Sequence, residues 1–99
     1  MAYRLRHDRA FMKQLEALPG DVRSLARRQV KELADKPYPL QAKELEEHPS
    51  YYRLWLPRDH RLVWQVLENE QVVDLIYVGL KSPDLYERLG LGRRTSYPR

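Results

Sequence analysis

The 99-residue chain contains no cysteine, no long apolar run and little sign of a leader segment. Without cysteine there is no disulfide framework, no thiolate metal site and no cysteine nucleophile, and a reducing, intracellular environment is favoured. No apolar run approaches the roughly 20 residues that span a bilayer, and the first residues do not resemble a signal peptide. We therefore expect a soluble cytoplasmic protein with no membrane partner, and its length predicts one domain with one modest core.

Several enzyme motifs are also missing from the sequence. The three histidines are scattered, and no cluster of histidine and acidic residues has metal-ligand spacing. There is no glycine-rich phosphate loop and no G-x-S-x-G sequence. We expect no metal and no small-molecule cofactor, because the residue patterns that bind them are not found.

The net charge of +4 is compatible with an anionic partner, but its distribution is uneven. Residues 1–87 hold equal numbers of basic and acidic side chains, and the excess comes from Arg88, Arg93, Arg94 and Arg99. A basic tail is equally consistent with a nucleic-acid contact and with a solvated chain end. Charge alone therefore does not identify the partner.

The first half of the chain has the pattern of a strand followed by two helices. Residues 3–5 form a short candidate strand, and Asp8 is placed to cap a helix that ends at Pro19. From Asp21 a second helix has apolar residues on one side and basic residues mostly on the other, a pattern that favours a solvated surface over an RNA contact. The prolines that follow predict a loop to about Ser50.

The middle of the chain predicts an antiparallel hairpin. In the first strand side chains alternate, and those expected in the core are Tyr52, Leu54 and Leu56. Residues 61–66 alternate in the same way, and the turn Pro57-Arg58-Asp59 is short enough to join the two strands directly.

A third strand and a short helix complete the pattern. After a turn at residues 68–70, residues 72–80 form a nearly continuous apolar run, which is typical of an interior strand. Asp84 is placed to cap a last helix that turns Tyr86 back towards the sheet.

Cationic residues lie at matched ends of the predicted strands. The face of the sheet without the helices is expected to present Arg53, Trp55, Arg61 and Lys81, with Tyr86 beside them. Arginine binds phosphate through two hydrogen bonds and offsets charge that develops on it. The predicted cluster therefore suits a phosphodiester.

These elements, together with the motifs YRLWL, HRLVWQV, IYVGLK and DLYERL, resemble the RelE/ParE toxin superfamily of bacterial toxin–antitoxin modules. The resemblance implies an α+β fold of order β-α-α-β-β-β with a short C-terminal helix. Its sheet is expected to be antiparallel, with a helical hairpin packed on one face. The resemblance also implies a RelE-like toxin domain over residues 1–90, followed by a basic tail over residues 91–99. It further implies a cognate antitoxin as partner.

The resemblance is closest to the RelE branch, whose toxins cut mRNA in the ribosomal A site without a metal. By motif it implies that the catalytic residues are Arg53, Arg61, Lys81 and Tyr86, with Arg61 stabilising the phosphate, and that ribosome and mRNA are partners. RNA supplies its own nucleophile, the 2′-hydroxyl, so such a site needs to align it, stabilise the phosphorane and protonate the leaving oxygen.

Two residues depart from the pattern of that branch. Trp55 stands where a second strand lysine is expected, and its indole suits stacking on an mRNA base. His60 has no counterpart in the simplest pattern, although some relatives use histidine as acid or base. We name Trp55, Arg58, His60 and Tyr77 as candidate RNA contacts. For His60 and Trp55 a plain surface role is the alternative.

Two other functions remain open. The ParE branch has this fold without the nuclease cluster and inhibits DNA gyrase, and a non-toxic RNA-binding relative of the fold is a third candidate. The presence of Arg61, Lys81 and Tyr86 together favours the nuclease.

Overall fold

The computed structural model of the protein describes residues 2–92. Its elements are β1 (Arg4–His7), α1 (Arg9–Glu16), α2 (Gly20–Leu33), β2 (Lys43–Glu44), β3 (Tyr51–Leu56), β4 (His60–Leu67), a 3₁₀ turn (Glu68–Glu70), β5 (Val72–Leu80) and α3 (Leu85–Arg88). This order confirms the predicted α+β fold class. Within the described part no helix is long and apolar enough to cross a membrane. Most of the predicted basic tail, including Arg93, Arg94 and Arg99, lies outside the described residues.

The two long helices begin where local sequence dictates. The carboxylate of Asp8 accepts a hydrogen bond of 2.9 Å from the backbone amide of Phe11, which confirms the predicted cap of α1. Pro19 occupies the N-cap position of α2, so that helix begins at Gly20, one residue earlier than predicted. Both helices bury their apolar faces against the sheet and form a hairpin on it.

Arginines on the outer side of the hairpin hold the two helices together. Arg23 donates hydrogen bonds to the backbone carbonyls of Glu16 and Leu18, and Arg27 forms an ion pair of 3.0 Å with the Glu16 carboxylate. These contacts give part of the basic side of α2 an intramolecular role, and they agree with its interpretation as a surface.

The sheet has five strands in the order β1-β5-β4-β3-β2, and it differs from the expected one in two ways. Strand β1 pairs parallel with β5, because the helical hairpin carries the chain from β1 to the opposite edge of the sheet, and the strands from β2 onwards then return it to β1. Strand β2 lies inside the segment predicted as a loop to Ser50, and its two residues are too few to show alternation. The expected antiparallel meander of β3, β4 and β5 is confirmed.

The sheet separates a main core from a smaller one. The main core lies between the helices and the sheet, and its side chains include Phe11, Val22, Leu54, Leu62, Trp64 and Val78. On the other face, Leu45, Val63 and Leu91 are buried, and Tyr51, Ile76, Tyr77, Tyr86 and Leu89 pack around them; we call this the second core. The face expected to be open is therefore partly covered, by α3 and the residues after it.

Gly90 turns the chain back onto this face. Its φ of 76° is in the left-handed region, and its amide donates to the Glu87 carbonyl while the Leu91 amide donates to Tyr86. This reversal buries Leu91 in the second core. Residue 91 thus packs against the folded domain. The predicted boundary between the toxin domain and the basic tail, at residue 90, stays a prediction.

The predicted cap of α3 is not formed. Asp84 stands at the N-cap position, but its carboxylate makes no hydrogen bond to the helix amides. It accepts a hydrogen bond of 2.9 Å from the Ser82 hydroxyl and lies 3.4 Å from Nε of Arg88. The two side-chain partners replace the amide.

We predict that Leu62→Ala lowers the free energy of unfolding by about 2–5 kcal/mol, because it leaves a cavity in the main core. Leu40→Ala is the matched control, since Leu40 is fully exposed, and it should change that free energy by less than about 0.5 kcal/mol. Urea unfolding followed by circular dichroism measures both. Equal losses would contradict the assignment of the core.

Candidate functional site

A tight turn aligns the residues of the candidate site. Arg58 and Asp59, between β3 and β4, have φ values of 59° and 62°, as the two central residues of a type I′ hairpin turn do. The resulting register places Trp55 directly opposite Arg61, and Arg61 directly opposite Gly79 on β5. These three positions form a row across the sheet, on the face away from the helical hairpin.

Arg61 occupies the centre of this row and is buried, with only 8% of its side chain exposed. Its Nη1 donates to the backbone carbonyl of His60 at 3.0 Å and lies 3.3 Å from the Asp59 carboxylate. Its guanidinium carbon lies 4.3 Å from the centre of the Trp55 ring. The sequence placed Arg61 on the face away from the helices, and it lies there, but its side chain is buried against Trp55 instead of open to solvent.

Lys81 and Tyr86 approach the site from the end of β5 and from α3. The Nζ atom of Lys81 lies 5.6 Å from the centre of the Tyr86 ring and donates to the carbonyl of Ser82. The Lys81 amide donates to the carbonyl of Asp59, at 2.8 Å. Asp59 therefore connects the two cations, through its carboxylate to Arg61 and through its backbone to Lys81.

Two polar atoms at the site are buried and have no hydrogen-bond partner within the described part of the chain: Nε of Arg61 and the hydroxyl of Tyr86. Burial raises the pKa of Tyr86, while the charges of Arg53 and Arg61 and a side-chain interaction with the Arg61 guanidinium act in the opposite direction. The phenol thus stays protonated at neutral pH and keeps a proton to donate. Buried polar groups are normally paired, so these two atoms are candidates for contact with a substrate that enters the site.

Arg53 is half-buried between two shallow pockets. One, of about 310 Å³, is also lined by Tyr86 and Leu91, and the other, of about 330 Å³, by Trp55. Lys43 lines both pockets and lies directly opposite Arg53 on β2. The sequence interpretation missed Lys43 because it missed the strand that carries it.

Tyr77 shares the face of Arg61 but is engaged with its own strand. Its hydroxyl donates to the carbonyl of Leu80, at 2.8 Å, and its ring lies over Gly79. A methyl group at position 79 would lie 2.7 Å from that hydroxyl oxygen, so glycine is needed for the ring to lie flat there. Tyr77 thus borders the cluster as predicted, and its contact with RNA stays a prediction.

Two of the predicted RNA contacts are not brought into the cluster. Arg58 pairs with Asp21 at the start of α2, at 2.9 Å. His60 is 6% exposed, and it lies opposite Leu56, on the face of the main core. Its Nδ1 is 2.9 Å from the Pro57 carbonyl. Strand alternation already separates residue 60 from residue 61, and this was the signal that should have excluded His60.

No protein-family model and no curated protein matches the chain. Solved structures do match it. A chain of the intact E. coli RelBE toxin–antitoxin complex is 30% identical, with a TM-score of 0.70, over 82% of this chain and 99% of that one. This chain belongs to the RelE/ParE toxin superfamily. The resemblance inferred from its motifs is confirmed.

Other members of the RelE/ParE superfamily show the same fold. Free E. coli RelE with two arginines replaced by alanine has a TM-score of 0.74 at 28% identity, over 91% of this chain and 96% of that one. The YoeB/ParE toxin from Agrobacterium tumefaciens has a TM-score of 0.65 at 14% identity, over 80% and 99%. At that identity the likeness shows the fold alone.

In this RelE/ParE chain, acidic groups lie at the far end of the sheet from the cluster. Glu68 follows β4, about 20 Å along the strand from Arg61. It accepts hydrogen bonds from the hydroxyls of Tyr3 and Tyr38, and these bonds lower the pKa of Glu68. Its negative charge is therefore stabilised where it does not oppose the cations.

We predict that Tyr86→Phe leaves the free energy of unfolding within about 0.5 kcal/mol of wild type, because the removed hydroxyl has no hydrogen-bond partner. Tyr38→Phe, the control, removes a bond to Glu68 and should be destabilising. Urea unfolding at neutral pH compares them. A loss above about 1 kcal/mol for Tyr86→Phe would mean that the hydroxyl is bonded within the fold.

Proposed function

We propose that this protein is the toxin of a type II toxin–antitoxin module and that it cuts ribosome-bound mRNA as an endoribonuclease. The observation that carries the proposal is the meeting of Arg61, Lys81 and Tyr86 on one face, with two buried polar atoms that have no hydrogen-bond partner among residues 2–92. Membership of the superfamily supports the role as a toxin. The solved relatives are at most 30% identical in the comparisons above, so the reaction rests on the site itself.

Arg61 is suited to stabilise a phosphorane. Its guanidinium is fixed by the Asp59 carboxylate, the His60 carbonyl and the Trp55 ring before any substrate binds. A donor held in place needs no reorganisation when charge develops, and a charge shielded from water acts more strongly on a neighbouring phosphate. Nε, without a partner of its own, is available to a phosphate oxygen.

Tyr86 and Lys81 suit the proton transfers of the reaction. The 2′-hydroxyl of RNA loses its proton to water and attacks the adjacent phosphorus, the bond to the 5′ oxygen breaks, and that oxygen takes up a proton. Tyr86, protonated and close to Lys81, is placed to donate a proton or to orient the phosphate. The products are a 2′,3′-cyclic phosphate and a 5′-hydroxyl. In this scheme none of the named residues acts as a metal ligand.

Arg53 and Lys43 extend the cationic surface beyond the scissile phosphate. They lie opposite each other on β3 and β2, and their side chains share one face because directly opposed residues do. Like charges so placed repel, and a phosphate between them relieves the repulsion. A neighbouring phosphate of the mRNA suits this position.

We predict that Arg61→Ala slows mRNA cleavage by about 10²–10³-fold, the usual effect of removing a fixed donor from a developing negative charge. Single-turnover cleavage on programmed ribosomes measures the rate, and circular dichroism verifies folding. Arg61→Lys keeps the charge without the planar fork and should recover only part of the rate.

Arg27→Ala is the control, because Arg27 pairs with Glu16 on the helical hairpin. It should cleave at the wild-type rate. A folded Arg61→Ala protein that does the same would remove Arg61 from the active site. Intact mRNA together with blocked gyrase supercoiling by the wild-type protein would replace the nuclease by the gyrase inhibitor.

The proposed partner is a cognate antitoxin, since solved relatives include RelE chains in complex with RelB. A neutralising segment that covers Lys43, Arg53 and Lys81 should be acidic. We predict that the dissociation constant of the complex rises with salt between about 0.05 and 0.5 M, because exposed charge pairs are screened. An affinity that does not change with salt would point to an apolar interface on the helical hairpin.

A further inference from the structure

Trp55 combines high exposure with a specific contact. Of its surface 67% is exposed, an unusual position for a large indole. Its inner face nevertheless lies against the Arg61 guanidinium, at 4.3 Å from the ring centre, and Arg61 is almost fully buried beneath it. The two residues are direct cross-strand partners, so strand pairing itself maintains the contact.

The contacts of Arg61 leave one role for the indole. The Asp59 carboxylate and the His60 carbonyl hold only Nη1, at one corner of the guanidinium, and Nε has no partner. Two contacts at one corner allow the plane to rotate. The Trp55 ring, whose centre is 4.3 Å from the guanidinium carbon, restricts that rotation and also excludes water from one side of the cation.

We propose that Trp55 is a positioning residue that acts through Arg61: it fixes the guanidinium plane and shields its charge for use on an RNA phosphodiester. This inference rests on the proposed ribonuclease function. It differs from the sequence prediction, in which the indole binds the substrate by stacking on an mRNA base. The outer face of the ring is exposed, so the two roles are separated by experiment.

The first test measures single-turnover cleavage as a function of ribosome concentration. Trp55→Ala should lower the rate constant at saturation by about tenfold, the size of a partly shielded cation–π contact, without changing the half-saturating concentration. Trp55→Phe keeps an aromatic face and should recover most of the rate. Leu80→Ala is the control, because Leu80 is similarly exposed, at 61%, on the opposite face of the sheet, and should behave as wild type.

A second test asks whether Trp55 works through Arg61 or independently of it. Binding is measured to programmed ribosomes whose mRNA carries a 2′-deoxynucleotide at the cleavage position and is not cut. In the Arg61→Ala protein, adding Trp55→Ala should leave the affinity unchanged. A further loss of about tenfold in affinity would show that the indole stacks on the RNA and would overturn the inference.

A third test needs no activity. Stacking on an indole shifts the Hε resonance of an arginine upfield, and this shift in Arg61 should disappear in Trp55→Ala and persist in Trp55→Phe. If the Hε resonance of Arg61 is at its random-coil position in the wild type and the wild type cleaves mRNA normally, the positioning role of Trp55 is overturned and the proposed function stands. Absence of cleavage by the wild type overturns the proposed function, and the positioning role with it, whatever the resonance shows.

Discussion

The register of the β3–β4 hairpin is the constraint on which the candidate site depends. It sets Trp55 against Arg61, and it places Arg61 across from Gly79 on the next strand. A slip of one residue would move Arg61 to the face of the main core. The alternation that buries Leu54 and Leu62 against the helices fixes this register, so the burial of apolar side chains on one face determines the chemistry on the other.

The second core gives the site its depth. Without α3 and Leu91, the face away from the helices would be flat, and the Tyr86 phenol would not lie against it. The left-handed conformation at Gly90 returns the chain so that Leu91 packs with Leu45 and Val63, and this holds the Tyr86 hydroxyl in a buried position. A phenol so placed stays protonated, and it lies close enough to the cations for the charges of Arg53 and Arg61 to oppose the effect of burial on its pKa.

Local patterns were enough to predict the fold but not the environment of each site residue. The strand faces, the Asp8 cap and the helical hairpin follow from alternation, capping and periodicity, which act within a few residues. The burial of Arg61 depends on a ring from another strand, and β2 was too short to leave a pattern. Strand alternation predicts that His60 lies on the opposite face from Arg61. The prediction of an RNA contact gave more weight to the fact that the two residues are adjacent in the sequence.

The predictions for Asp84 and Arg58 failed for a different reason. Each was interpreted by its position beside an element, one as a cap and the other as an RNA contact. Each instead binds an oppositely charged side chain nearby: Asp84 lies against Arg88, and Arg58 reaches Asp21 on α2. The strength of these exposed pairs is modest. The i,i+4 spacing of Asp84 and Arg88 is visible in the sequence, whereas the contact of Arg58 with Asp21 joins the β3–β4 turn to α2 and is not.

The exchange of a cation for an indole at position 55 has a physical consequence for the whole cluster. The family resemblance implies a lysine there, and a second cation at about 4 Å from a guanidinium would cost several kcal/mol at the effective dielectric of a protein surface. The indole removes this repulsion and adds an attraction of about 0.5–2 kcal/mol, so Arg61 is held more firmly. The face that carries Arg61 thereby has one positive charge fewer than the resemblance implies. Lys43, opposite Arg53 on β2, places a further cation on the same face of the sheet, on a strand separated from that of Arg61 by β3.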